Sequence, residues 1–124
     1  MRRQKRHGFS LIANFRNSLR GLKEVTRNER PMQVEVAAFS VLTVLLLFLP
    51  MAFVYKLVLF LSLFLPLFTE LLNSAIERTV DLVTGEYHEL AKAAKDAASA
   101  AVLVSLIMTG TLWAGILYLV YFGG

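Results

Sequence analysis

Apolar and polar positions along this chain fall into four blocks. From Gly8 to about Arg27 the pattern is helical and two-sided. Phe9, Ile12, Phe15, Leu19 and Leu22 recur on one side, and Arg16, Arg20, Lys23 and Arg27 on another. A helix of this kind is too polar to span a bilayer and suits its interface. Asn28-Glu29-Arg30-Pro31 then breaks the pattern, because proline disfavours helix at the preceding residue and is tolerated in a first turn.

Three apolar runs follow. The first, 33–49, lies near the lower length limit for crossing hydrocarbon, and Pro50 ends it. The second, 53–77, contains LVLFLSLFLPLFT at 57–69, which carries no charge. Pro66 lies inside that run. It lacks the amide that would bond the Ser62 carbonyl, which predicts a kink unless other groups compensate. The Ser62 hydroxyl could instead bond back within its own helix. Thr84-Gly85 marks a stop, and EYHELAKAAKD at 86–96 is rich in charge and in good helix formers. That segment leads without a breaker into the third run, 97–122, studded with Ala97, Ala98, Ser99, Ala100, Ala101, Ser105, Gly110 and Gly115. Small residues let helices approach closely in lipid. Trp113, Tyr118 and Tyr121 fall near its far end, as an aromatic belt would. The pattern predicts an all-α membrane protein, one domain over 1–124. It has an amphipathic surface helix at 8–28 and spanning helices at 33–49, 53–77 and 97–122.

Composition narrows the chemistry. The 124 residues are 56% hydrophobic, high for a soluble chain of this size. There is no cysteine, which excludes disulfides, thiolate metal sites and a cysteine nucleophile. His7 and His88 stand far apart in sequence, against a histidine-rich zinc site. The net charge of +4 is uneven, since nine of the 13 Lys and Arg residues precede residue 31. By the positive-inside rule that end is cytoplasmic, against anionic lipid. The sparsely charged loop near Lys56 and the C-terminal Gly123-Gly124 are then external. A nucleic-acid role would need a folded soluble domain behind the basic end, and none is visible. A cleavable signal peptide is not expected, since the apolar run starts too far from the basic end.

Candidate chemistry concentrates in ELLNSAIERTVD at 70–81. Glu70, Asn73, Glu77 and, less tightly, Asp81 are spaced by threes and fours, which places them on one helix face. A carboxylate just beyond an uncharged run meets partial desolvation, so it calls for a partner, a metal or a proton. Glu29, Glu35, Glu86, His88, Lys95 and Asp96 belong to the same side of the membrane in this layout. Three spanning helices make a thin wall for so many acids, so a homo-oligomer with sites near subunit contacts is expected. Plainer roles exist for some of these residues: Lys95 and Asp96 suit a solvated helix start, His88 a loop and Ser99 helix packing.

With NE at 28–29, ELLNSAIERTVD at 70–81 and EYHELAKAAKDAASAAV at 86–102, the chain resembles the bacterial integral-membrane diacylglycerol kinase family from about Gly8 to its end. The resemblance implies a homotrimer of three-span subunits in the bacterial inner membrane. It implies transfer of the γ-phosphate of ATP, carried with Mg²⁺, to the primary hydroxyl of 1,2-diacylglycerol, giving phosphatidic acid. Glu70 then matches the catalytic acid that accepts the hydroxyl proton, with Asn73 positioning groups near the phosphate. Glu29 and Glu77 match the magnesium ligands. Glu86, His88, Lys95 and Asp96 match nucleotide positions, and Glu35 and Ser99 match positions around the lipid headgroup. The N-terminal helix departs from the family's pattern at Leu11, Asn14 and Asn17. In agreement with an unrelated fold, neither GxxxxGK[ST] nor a kinase glycine-rich loop occurs. Phosphoryl transfer asks mainly for alignment and charge neutralisation, and Glu70 and Glu77 lie almost two turns, roughly 10 Å, apart along a helix. One acid could therefore meet a lipid hydroxyl while the other meets metal-bound nucleotide. Two rivals remain: an undecaprenol kinase of the same fold, and a small oligomeric ion or proton transporter. Against the transporter, the acids cluster at one membrane face instead of crossing it.

Overall fold

In the computed structural model, residues 10–123 are described. The basic segment Arg2, Arg3, Lys5, Arg6 and His7 lies outside them, as do Phe9 of the first apolar stripe and the terminal Gly124. The described residues form five helices and no strand: α1 (Leu11–Asn28), α2 (Arg30–Phe48), α3 (Phe53–Ser62), α4 (Phe64–Val83) and α5 (Glu89–Tyr121).

Local chemistry sets the boundaries. The Ser10 side chain accepts a bond from the Ala13 amide and caps α1. Glu29 has extended backbone geometry, ends α1 through its amide to Val25 and begins α2, with Pro31 in the first turn. The extended Leu49 ends α2 just before Pro50. The Thr84 hydroxyl accepts from the Glu86 amide and donates to the Glu86 carbonyl, both at 3.2 Å, and so closes the turn after α4. His88 Nδ1 accepts from the Leu90 amide at 3.1 Å and caps α5, which then runs unbroken for 33 residues.

Pro66 acts upstream of its own position. The helix is interrupted at Leu63, between α3 and α4, where the Leu63 amide bonds the Phe60 carbonyl at 3.1 Å in a tight turn. The freed Ser62 carbonyl accepts from the Thr109 hydroxyl of α5 at 2.9 Å. The Ser62 hydroxyl also bonds back, to the Leu59 carbonyl at 2.6 Å.

Three stretches are long and apolar enough to cross a membrane: Arg30–Phe48, Phe53–Val83 and Glu89–Tyr121. The chain is thus an all-helical membrane protein. Its apolar core is small: Leu46, Leu59 and Leu63, joined by Phe39, Leu42, Phe60, Trp113 and Ile116. Phe39, Phe60 and Phe64 stack edge-on or tilted at centroid distances of 4.9–5.7 Å and pin α2 to the α3–α4 break. The longest seam joins α4 to α5. Only 11% of the apolar windows of α2 and α5 is buried within the chain, so most of their surface is left for lipid or for other subunits.

Candidate active site

The acids of α4 differ in burial although they share a face. Glu70 is 6% exposed and Asn73 9%, whereas Glu77 and Asp81 are exposed. Asn73 links the two environments. Its Nδ2 lies 3.5 Å from Glu70 Oε1 and 3.5 Å from Glu77 Oε1, long bonds that hold the amide between two carboxylates. Its Oδ1 is buried with no hydrogen-bond partner, an orphan acceptor in the middle of the stripe. Glu35 of α2 is half-buried and close enough to Glu70 for the two charges to repel. The structure therefore brings Glu35, Glu70, Asn73 and Glu77 together.

Glu29, at the α1–α2 junction, meets α4 on the adjoining line of Ser74 and Arg78. One carboxylate oxygen accepts a very short bond from the hydroxyl of Ser74, which is 1% exposed. The other accepts from Arg78 Nε at 3.0 Å and pairs with Nη2 at 2.9 Å. Arg78 also holds Glu24 of α1 through Nη1 at 2.5 Å. That bond, with help from Asn28 and against partial desolvation, keeps the Glu24 carboxyl below its usual range. Glu24, Ser74 and Arg78 are site neighbours that the sequence reading missed. Nothing in the spacing pairs residue 24 with residue 78. The available signal was that Ser74 and Arg78 are spaced by fours along α4, on a line beside the acids.

A groove of about 420 Å³ lies beyond the stripe, where α4 turns into α5. Asp81, Glu86, His88, Lys92, Lys95 and Asp96 line it. Lys95 Nζ bonds Asp81 at 2.6 Å and is close enough to Glu77 to attract it, which connects groove and stripe. Lys92 Nζ bonds Asp96 at 2.5 Å, a second cation in the groove that the motif reading passed over. Ser99 faces outward, exposed, and makes no side-chain hydrogen bond among the described residues. Of the expected site residues it alone stands apart.

The arrangement is a buried acid next to apolar helix, an amide bridging to exposed acids, and a water-facing groove carrying two lysines. A buried carboxylate suits proton acceptance from a group at lipid depth. Paired lysines suit phosphate.

Residues 16–117 match the family described as prokaryotic diacylglycerol kinase. The chain is 38% identical over 96 residues to the undecaprenol kinase of Bacillus subtilis (strain 168), covering 77% of this chain and 78% of that protein. It is 38% identical over 108 residues to the diacylglycerol kinase of Haemophilus influenzae, covering 87% and 92% respectively. It is 38% identical over 101 residues to the diacylglycerol kinase of Escherichia coli (strain K12), covering 82% and 83%. The match spans the α1–α2 junction, the whole acidic stripe and the groove, and the chain belongs to the prokaryotic diacylglycerol kinase family.

Proposed function

We propose that the acidic end of α4 and the adjoining groove transfer the γ-phosphate of ATP to the primary hydroxyl of 1,2-diacylglycerol, yielding phosphatidic acid. The lipid-kinase class follows from the family; the acceptor and the residue roles are our reading. The observation that carries it is the two-level stripe, with Glu70 buried and Glu77 exposed, joined by Asn73. In this reading Glu70 takes the proton of the lipid hydroxyl as its oxygen attacks the γ-phosphorus. Asn73 aligns the reacting groups, and ADP leaves toward the groove. Lys95, with Asp96, Glu86 and His88, holds the nucleotide. Glu35, beside Glu70, meets the lipid headgroup from within the site, and the exposed Ser99 meets it from the outer face of α5.

Magnesium fits the donors present. Glu29 and Glu77 supply hard carboxylate oxygens, and phosphates and waters complete such a shell. Among the described residues no three or more His, Asp or Glu converge as a protein-only cage, so these two acids would share the ion with the nucleotide. Glu29 keeps free lone pairs beyond its bonds to Ser74 and Arg78. The Asn73 Oδ1 orphan is a further oxygen awaiting a partner. The ion would neutralise charge on the transferring phosphate.

The exposed Ile12, Phe15 and Leu19 of α1, with Arg16, Arg20 and Lys23 also exposed, support a helix lying in the membrane interface. The basic start of the chain supports a cytoplasmic N-terminus and an external C-terminus in the bacterial inner membrane, within a single membrane domain. The homotrimer that the resemblance implies, with sites near subunit contacts, has surface available to it in the unburied apolar faces of α2 and α5.

Transfer of label from γ-labelled ATP to diacylglycerol in mixed micelles tests this reading. ATP hydrolysis without a labelled lipid would reject it. Undecaprenol is the second acceptor, favoured by the Bacillus subtilis relative at equal identity. With both lipids at equal mole fraction, preferential labelling of diacylglycerol is expected. Preferential labelling of undecaprenol would reverse the assignment.

A further inference from the structure

Three hydroxyl or ring donors of α5 stand one turn apart on the face that meets α3 and α4: Ser105, Thr109 and Trp113. Each makes a contact across the seam. Ser105 Oγ and Thr69 Oγ1 are 2.8 Å apart. Thr109 Oγ1 donates to the Ser62 carbonyl at 2.9 Å, and Trp113 Nε1 donates to the Ser62 hydroxyl at 3.1 Å. Ser62, Ser105 and Thr109 are buried, at 4%, 3% and 9% exposure.

The middle rung sits at a particular place. Pro66 has no amide, so within a continuous helix the Ser62 carbonyl would be left unsatisfied in an apolar setting, which is costly. Thr109 supplies the missing donor from another helix. Trp113 then fixes the same residue from the side-chain end. The Ser62 hydroxyl is thereby committed, accepting from Trp113 and donating to Leu59. The lower rung, Thr69, is the chain neighbour of Glu70. About two turns of α4 separate the break from the buried acid.

We propose that Thr109 and Trp113 are positioning residues for the transfer reaction: they take over the hydrogen bond that Pro66 removes, and so fix the direction in which α4 leaves the break and presents Glu70. The inference rests on the assignment of Glu70 as the proton acceptor. Neither residue touches substrate. Their effect passes through the α3–α4 break and the Thr69–Ser105 contact. In-line transfer is sensitive to misplacement of the reacting groups, so a small swing of α4 would lower turnover while leaving the nucleotide groove intact.

The proline gives the test its logic. Pro66→Ala restores an amide able to bond the Ser62 carbonyl, and in that background Thr109 has nothing left to replace. Full-length protein is purified in mixed micelles with Thr109→Val, Thr109→Ser, Pro66→Ala and the Pro66→Ala/Thr109→Val pair. Thr109→Val is expected to lower kcat about fivefold with KM for ATP unchanged, as loss of one buried bond implies. Thr109→Ser should restore kcat. Adding Thr109→Val to Pro66→Ala should cost nothing further. Trp113 is the sole tryptophan, so its emission and acrylamide quenching report the same clamp directly. Both should change in Thr109→Val and stay as wild type in Thr109→Ser.

Equal cost of Thr109→Val in the two backgrounds, or an unchanged kcat, overturns the proposal. If Thr109→Val does not fold, Trp113→Phe tests the other arm, since it removes the N–H donor and keeps an aromatic ring, the smaller phenyl, against the Leu46, Leu59 and Leu63 core. A drop in kcat at constant KM supports positioning, and an unchanged kcat overturns it. Glu70→Gln run alongside separates the two readings. Full turnover there rejects the proton acceptor, whereas the coupling between positions 66 and 109 is still read in the tryptophan signal.

Discussion

Arg78 of α4 grips the Glu29 carboxylate through Nε at 3.0 Å and Nη2 at 2.9 Å, while its Nη1 reaches Glu24 on α1. One guanidinium thus ties α1 to the junction that carries a proposed magnesium ligand. The geometry is the fork that lysine lacks. The pair is half exposed, so its contribution to overall stability is small and its effect on where Glu29 points is the larger one.

Arg78→Lys and Arg78→Gln are therefore expected to leave the fold intact and to raise the magnesium concentration for half-maximal activity about three- to tenfold. Mn²⁺ binding followed by electron paramagnetic resonance, without lipid or turnover, should weaken in parallel. Unchanged metal affinity in Arg78→Gln would show that Arg78 does not orient Glu29.

The Glu24 bond gives a pH dependence with a defined sign. The folded carboxyl is held below its ordinary value of 4.5, mainly by the hydrogen bond from Arg78. Its contribution is thus complete above the unfolded value and is lost as pH falls through the lower folded value. Hydrogen exchange of α1 amides should accelerate relative to α4 as pH drops below about 4.5, after correction for intrinsic rates. Glu24→Gln should remove that pH-dependent component.

Much of the frame was legible in the residue order because its causes are local. Uncharged runs mark the three crossings. Pro31 and Pro50 sit at helix boundaries, and Pro66 forecasts the interruption that appears at Leu63. Threes and fours from Glu70 to Glu77 forecast one face, and Asn73 does lie between its two acids. The long-range partners were not legible. Ser74 and Glu29 are a bonded pair, as are Arg78 and Glu24, only because α1, α2 and α4 converge, and helix periodicity carries no information on which helices meet. Thr109 was hidden for the same reason: the carbonyl in need was visible, but the donor lies on another helix. Burial also separates Glu70 from Glu77 more sharply than spacing alone implies.

Asn73 donates to both carboxylates, so removing its amide should unlink the two levels of the stripe. Asn73→Leu is expected to lower kcat about a hundredfold with a smaller change in KM for ATP. Steady-state transfer with both substrates varied checks this. A loss confined to KM would move Asn73 from the reacting centre to nucleotide binding.

Lys95 pairs with Asp81 in the groove and stands ready for a stronger anion. Lys95→Met should raise KM for ATP about tenfold or more, with little change in KM for lipid. Lys92→Met should act in the same direction and less, since Lys92 is more exposed. Equilibrium binding of ADP to each variant separates affinity from turnover. Equal ADP affinity in wild type and Lys95→Met would remove the groove from the nucleotide site.

The most direct test of the account is transfer of label from γ-labelled ATP to diacylglycerol by Glu70→Gln in mixed micelles, with ADP affinity measured on the same preparation. The account predicts a fall in turnover of about a thousandfold with ADP affinity retained, because the amide preserves shape and hydrogen bonding but cannot take the hydroxyl proton. Near-normal turnover in Glu70→Gln would contradict it.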